Sequence, residues 1–184
     1  MLRVFCLSSV LALTAAGAAL AADPKPDPKP ELEPLALEAG VWDAQITFPS
    51  GKDDVPPTLA KGVQVNRLRS DGMWMLNEFH VEGTPYEGTG TWGWDAATKR
   101  YIGVWVDNNA HRMRQDVGYW DAKTKTMHWR NDMVGPDGTV LPMRMTEVFM
   151  GDKRTFEIAQ VGPRTGKEVV LVRMEFTRRP EAKK

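Results

Sequence analysis

Cysteine is nearly missing from this chain of 184 residues: Cys6 is the only one, and it sits inside an N-terminal apolar run, early and without the Leu-x-x-Cys context of a lipoprotein. No disulfide framework is available, and once the N-terminal run is removed no thiol nucleophile remains. An excess of charge of one sign is missing too. Lys+Arg number 24 and Asp+Glu 24, so no long-range field gathers nucleic acid or an anionic membrane surface. Histidine is scarce, and His80, His111 and His128 form neither His-x-His nor His-x-x-x-His, so no metal site is expected. No Gly-x-Ser-x-Gly nucleophile turn occurs, and no cofactor is expected. Helical apolar spacing is almost absent between Leu35 and Arg179, apart from one possible turn over Leu35–Ala39.

What is present begins with an address. Arg3 precedes an apolar run from Val4 to Leu20, and Ala19-Leu20-Ala21 offers small residues where a signal peptidase reads. Ser8, Ser9 and Thr14 weaken the run as a membrane anchor, because a comfortable span needs about 20 apolar residues. We expect residues 1–21 to be a signal peptide cleaved after Ala21, giving a periplasmic or secreted protein with no membrane insertion after cleavage. The mature chain then has no cysteine and must be held by its core. The Pro-alternating segment from Asp23 to Pro30 favours extended geometry without ladder hydrogen bonds. Residues 22–34 are accordingly expected to be a linker, residues 35–179 one domain, and residues 180–184 a disordered tail. A monomer is expected.

Sixteen Gly, thirteen Pro and seven Trp suit strands and turns. Trp42, Ala44, Ile46 and Phe48 share one face of a first strand. Further strands are expected at Leu59–Ser70, Gly72–Glu82, Tyr86–Trp94, Arg100–Val106, Arg112–Trp120, Thr126–Val134, Val140–Met150, Arg154–Val161 and Glu168–Arg178. Turn signals such as Asp71-Gly72, Gly135-Pro136-Asp137-Gly138 and Gly151-Asp152 separate them. Asp95-Ala96-Ala97-Thr98-Lys99 returns as Asp121-Ala122-Lys123-Thr124-Lys125, each copy after a Trp and each a hairpin corner. Two copies, 26 residues apart, do not make a propeller, whose blades repeat at about 40–50 residues. The fold class expected is all-β, an antiparallel up-and-down barrel of about ten strands.

Along the fourth strand Tyr86, Gly88, Gly90, Trp92 and Trp94 share a face that should point inward. Two glycines there leave volume that aromatics would wall, either as a small-molecule pocket or as a plug filled by neighbouring rings. Trp74, Leu76, Glu78 and His80 share a face of the third strand, and inwardness would place Glu78 and His80 as an acid/base pair. The expected ligand-binding residues are Trp74, Glu78, His80, Tyr86, Gly88, Gly90, Trp92, Trp94, Tyr101 and Trp105. The leading expectation is a binder of a small apolar or aromatic molecule. An enzyme with polar groups at the barrel mouth, or a scaffold for protein contacts, is the alternative. Met73-Trp74-Met75 and Met143-Arg144-Met145 are either soft ligands for Cu(I) or fillers between large rings, and the second reading is favoured.

Gly40-Val41-Trp42, Gly93-Trp94-Asp95, Lys99-Arg100-Tyr101 leading to Trp105-Val106-Asp107, Gly118-Tyr119-Trp120-Asp121 and a closing Thr177-Arg178 together resemble the bacterial domain of unknown function 1579 family. The resemblance covers about residues 35 to 179. It implies a lipocalin-like β-barrel and no assigned activity. The Gly-x-Trp opening with a late Arg also resembles the wider calycin group, which implies that Arg178 or Arg179 packs on Trp42 over one end of the barrel. Trp94 stands where the family pattern has Tyr, a departure that bears on the pocket lining. Haem-binding barrels of related shape use a late His, and none follows His128.

Overall fold

Turn residues break the chain into short extended segments that can satisfy their backbone groups only by pairing with one another. The computed structural model describes residues 29–135, 137–162 and 166–180. Ten strands follow a short helical segment: β1 Gly40–Phe48, β2 Thr58–Leu68, β3 Trp74–Val81, β4 Glu87–Asp95, β5 Arg100–Asp107, β6 Arg114–Asp121, β7 Thr126–Val134, β8 Val140–Met150, β9 Lys153–Val161 and β10 Glu168–Arg178. Each pairs antiparallel with its neighbours in sequence, and β1 pairs with β10 from Trp42↔Arg178 to Thr47↔Arg173, closing the barrel. Closure leaves no unpaired sheet edge among the described residues. The expected up-and-down barrel is the fold observed. Period-two alternation is clean on β1, where Trp42, Ala44 and Ile46 are buried and Asp43 and Gln45 exposed.

The repeated pentapeptide makes the same corner twice. Asp95 Oδ1 accepts from the Ala97 backbone N–H and Asp121 Oδ1 from that of Lys123, both at 2.9 Å. Each corner then enters the next strand through a left-handed lysine, Lys99 at φ 52° and Lys125 at φ 51°.

One barrel end is plugged. A 3-10 turn, Pro30–Leu32, runs into the helix α1, Glu33–Glu38, which is longer and earlier than the single turn expected over Leu35–Ala39. Residues 30–34, expected within the linker, therefore belong to the folded body, and Pro34 and Leu35 are buried. The signal segment 1–21, the start of the linker and residues 181–184 of the tail lie outside the described residues. Arg178 performs the covering role: its Cζ lies 4.0 Å from the Trp42 ring while its guanidinium donates to the backbone oxygens of Leu37 and Ala39. Gly40, at φ +124°, leaves the space that this guanidinium occupies, since a Cβ there would lie 2.7 Å from Nη1.

Candidate functional site

The plug leaves the barrel hollow above it. A cavity of about 710 Å³ runs from the plugged end to a mouth at the opposite end, beside Leu59, Thr84 and Asn109. Its walls are inward rows of alternate residues: Ile46 on β1, Ala60 on β2, Phe79 on β3, Trp92 on β4, Trp105 on β5, Phe156 and Ile158 on β9, and Met174 and Phe176 on β10. Aromatic rings meet edge to face, Phe79 with Phe176 at 6.5 Å and Trp92 with Trp129 at 6.5 Å, the geometry that ring quadrupoles favour.

The floor is polar. Glu38 projects from α1, and Glu147 on β8 and Arg154 on β9 project from the wall; all three are buried. Arg154 Nη1 pairs with Glu147 Oε1 and lies 3.6 Å from Glu38 Oε1. Glu38 Oε2 accepts from Trp92 Nε1 at 2.7 Å, and its Oε1 accepts from Asn66 Nδ2 at 3.3 Å. Asn77 Nδ2 donates in turn to Asn66 Oδ1. Burial first, and then the neighbouring Glu147 charge, hold the Glu38 carboxyl well above the usual carboxylate range against the pull of Arg154, Trp92 and Asn66. Burial also raises Glu147, against the attraction of Arg154. A second pair stands higher on the wall: Arg114 Nε donates to Asp116 Oδ1 at 2.9 Å, and Asn131 Nδ2 donates to the same oxygen at 2.9 Å. Burial raises Asp116, opposed by Arg114.

Of the expected binding residues, Tyr86, Trp92 and Trp105 line the cavity. Trp94 and Tyr101 face inward but belong to the plugged end. Their rings pack 5.0 Å apart, and the Tyr101 hydroxyl donates to the Glu31 backbone oxygen at 2.7 Å. Gly88 and Gly90 also face inward, yet the volume above them is not open. A Cβ on Gly88 would clash with the Trp105 ring, and one on Gly90 would lie 2.8 Å from it, so the glycines are a bed for Trp105 rather than part of the cavity wall.

Trp74, Glu78 and His80 are misplaced by the sequence reading. The inward row of β3 is Met75, Asn77, Phe79 and Val81; Glu78 and His80 are exposed, and the Trp74 ring lies over Gly93 on the outer face. Glu78 pairs with Arg67 on the outside, so the imagined acid/base pair does not open on the interior. Asn77 can face inward because Asn66, its register partner on β2, supplies a hydrogen-bond acceptor. Of the methionines, Met75, Met143 and Met145 are buried in the core while Met73 is 46% exposed.

Sequence reasoning missed Glu38, Arg114, Asp116, Glu147 and Arg154. A signal existed in β8, where Glu147 interrupts the row Met143, Met145, Phe149. Read without its partners, an ionisable residue in an apolar row looks like a register error.

A family model described as "Protein of unknown function (DUF1579)" matches residues 27–178. No curated protein matches the chain. Among solved structures, that titled "Crystal Structure of Rv2717c from M. tuberculosis" is similar, with a TM-score of 0.60 at 10% identity over 84% of this chain and 100% of that one. At that identity the likeness concerns the fold alone.

Proposed function

The chain belongs to the DUF1579 family of proteins of unknown function, and we propose that it is an exported, non-enzymatic barrel that binds one small, largely apolar or aromatic molecule in its interior. The cavity of about 710 Å³ carries this reading, since ligand sites typically enclose about 300–1,000 Å³ and are lined mainly by apolar and aromatic side chains with a few placed polar groups. An enzyme would need titratable groups free to converge on one substrate position. Here the interior acids and bases are engaged with each other, Arg154 with Glu147 and Arg114 with Asp116.

Uptake of the neutral fluorophore N-phenyl-1-naphthylamine tests the site. Saturable, one-site enhancement is expected for the wild type, and at least about tenfold weaker binding for Ala60→Trp, which fills the cavity from β2. Gln115→Ala, on the outer face of β6, should bind as the wild type does. Equal binding by a folded Ala60→Trp places the site elsewhere. Export is checked by intact mass of the protein recovered outside the cytoplasm. A chain starting at Ala22 is expected, and retention of residues 1–21 overturns it.

A further inference from the structure

Resting on the reading of the interior as a binding site, we propose that the polar end of the ligand is a hydrogen-bond-donating cation, a protonated amine on an apolar or aromatic body, seated against Glu38 and Glu147. The first ground is charge. The acids lining the cavity are Glu38, Glu82, Asp116 and Glu147, and the bases are Arg114 and Arg154. Arg114 is matched by Asp116. Glu82 is exposed at the mouth. On the floor one guanidinium therefore faces two buried carboxyl groups, and one positive charge is wanting. In the empty barrel a proton on Glu38 meets that shortage, since burial and the Glu147 charge outweigh Arg154 there, and a cationic ligand would take the proton's place.

The second ground is independent of charge and concerns hydrogen-bond sense. Gln64 Oε1, Asn77 Oδ1 and Asn131 Oδ1 are buried without a donor. The orientations of Asn77 and Asn131 follow from groups that only accept: Asn131 Nδ2 donates to the Asp116 carboxylate that Arg114 holds, while Asn77 Nδ2 donates to Asn66, whose own Nδ2 donates to the Glu38 backbone oxygen at 3.1 Å. Among the described residues all three unpartnered amide atoms are acceptors, and one of them, on Gln64, belongs to the cavity lining, where it asks for a donor. The buried donors without a partner among the described residues are Arg154 Nε and Nη2. Its guanidinium lies 4.0 Å from the Phe176 ring and 4.7 Å from the Trp42 ring, which cover it. An anion approaching it would also meet Glu38 and Glu147. The rings of Trp92, Phe156 and Phe176 complete a setting that favours a cation, through the negative faces of their π systems.

Three naphthalene probes of matched size separate the outcomes: 2-(2-naphthyl)ethylamine as the cation, 2-ethylnaphthalene as the neutral form and 2-naphthylacetate as the anion. At neutral pH the amine should bind about tenfold tighter than the neutral probe, as a charge-assisted hydrogen bond predicts, and the anion should bind weakest. In Glu147→Gln and in Glu38→Gln the amine's advantage should fall to about threefold or less. Each variant leaves Arg154 one carboxylate, so a fold failure in one leaves the other to decide. If the neutral probe or the anion binds as tightly as the amine, the inference is overturned and the binding-barrel reading stands. If no probe binds, that reading falls with it. An amine preference that survives both substitutions overturns the assignment to Glu38 and Glu147.

Discussion

Trp42 is enclosed on every side. It is fully buried, its indole N–H donates to the Glu38 backbone oxygen at 2.8 Å, and two guanidinium groups lie against its ring. Trp42→Ala should cost about 3–5 kcal/mol, through lost transfer energy and the cavity left behind. The check is a lowered urea midpoint at unchanged slope. Glu38 makes a different demand, tied to pH. Its folded-state pKa lies above the ordinary 4.5, so the folded state holds the proton where the unfolded state has released it. The stability this contributes is fully present below the unfolded-state pKa and is lost as pH rises through the folded one. As pH rises above the ordinary 4.5 the wild type should lose stability more steeply than Glu38→Gln. Glu147 and Asp116 shift in the same direction and remain in the variant, so the slope should shrink rather than vanish. Denaturation curves across that range decide it, and parallel slopes would place the proton elsewhere.

Among the strands and their corners, the repeated turn is where local chemistry dominates. Lys99 sits in the left-handed region at φ 52° and its side chain is exposed. A non-glycine residue there carries about 1–2 kcal/mol of strain, partly offset by the greater unfolded-state freedom of glycine. Lys99→Gly should stabilise the protein by about 0.5–1 kcal/mol, read as a raised denaturation midpoint. Strand β4 makes the opposite point. Gly88 and Gly90 are empty positions in the sequence but filled ones in the barrel, because Trp105 on β5 lies over them. Gly90→Leu should displace that ring and cost about 1–3 kcal/mol by overpacking. It therefore tests the seat of Trp105, itself a wall of the cavity, and not an open space above Gly90.

The closed sheet and its plug act as one body. Residues 31–39 provide hydrogen-bond acceptors to Trp42, Asn66, Trp92, Tyr101, Trp120 and Arg178, drawn from six different strands. A chain lacking residues 1–38 would strip nearly all of these. Each buried polar group left unsatisfied costs about 1–3 kcal/mol, and their sum rivals the roughly 5–15 kcal/mol that holds an ordinary domain. Loss of the cooperative near-ultraviolet thermal transition is expected. A truncated chain that melts as the full one does would make α1 an ornament rather than a wall.

Strand number, sequential antiparallel order and the inward face of β4 were legible in the chain because turn residues and period-two alternation are local properties. The pairing of Arg178 with Trp42 was legible only through the family resemblance. On β3 alternation separates two rows, Trp74, Leu76, Glu78, His80 and Met75, Asn77, Phe79, Val81, but does not say which is inside when both mix apolar with polar residues. The barrel decides it by supplying Asn66 to Asn77 on the inside and Arg67 to Glu78 on the outside. The floor is of the same kind. Glu38, Glu147 and Arg154 are each costly to bury alone; Glu147 and Arg154 meet across the β8–β9 hairpin, and only the folded barrel brings Glu38 to them, 109 and 116 residues away along the chain. Burial of a polar group is settled by its partner, and the partner comes from another element of the fold.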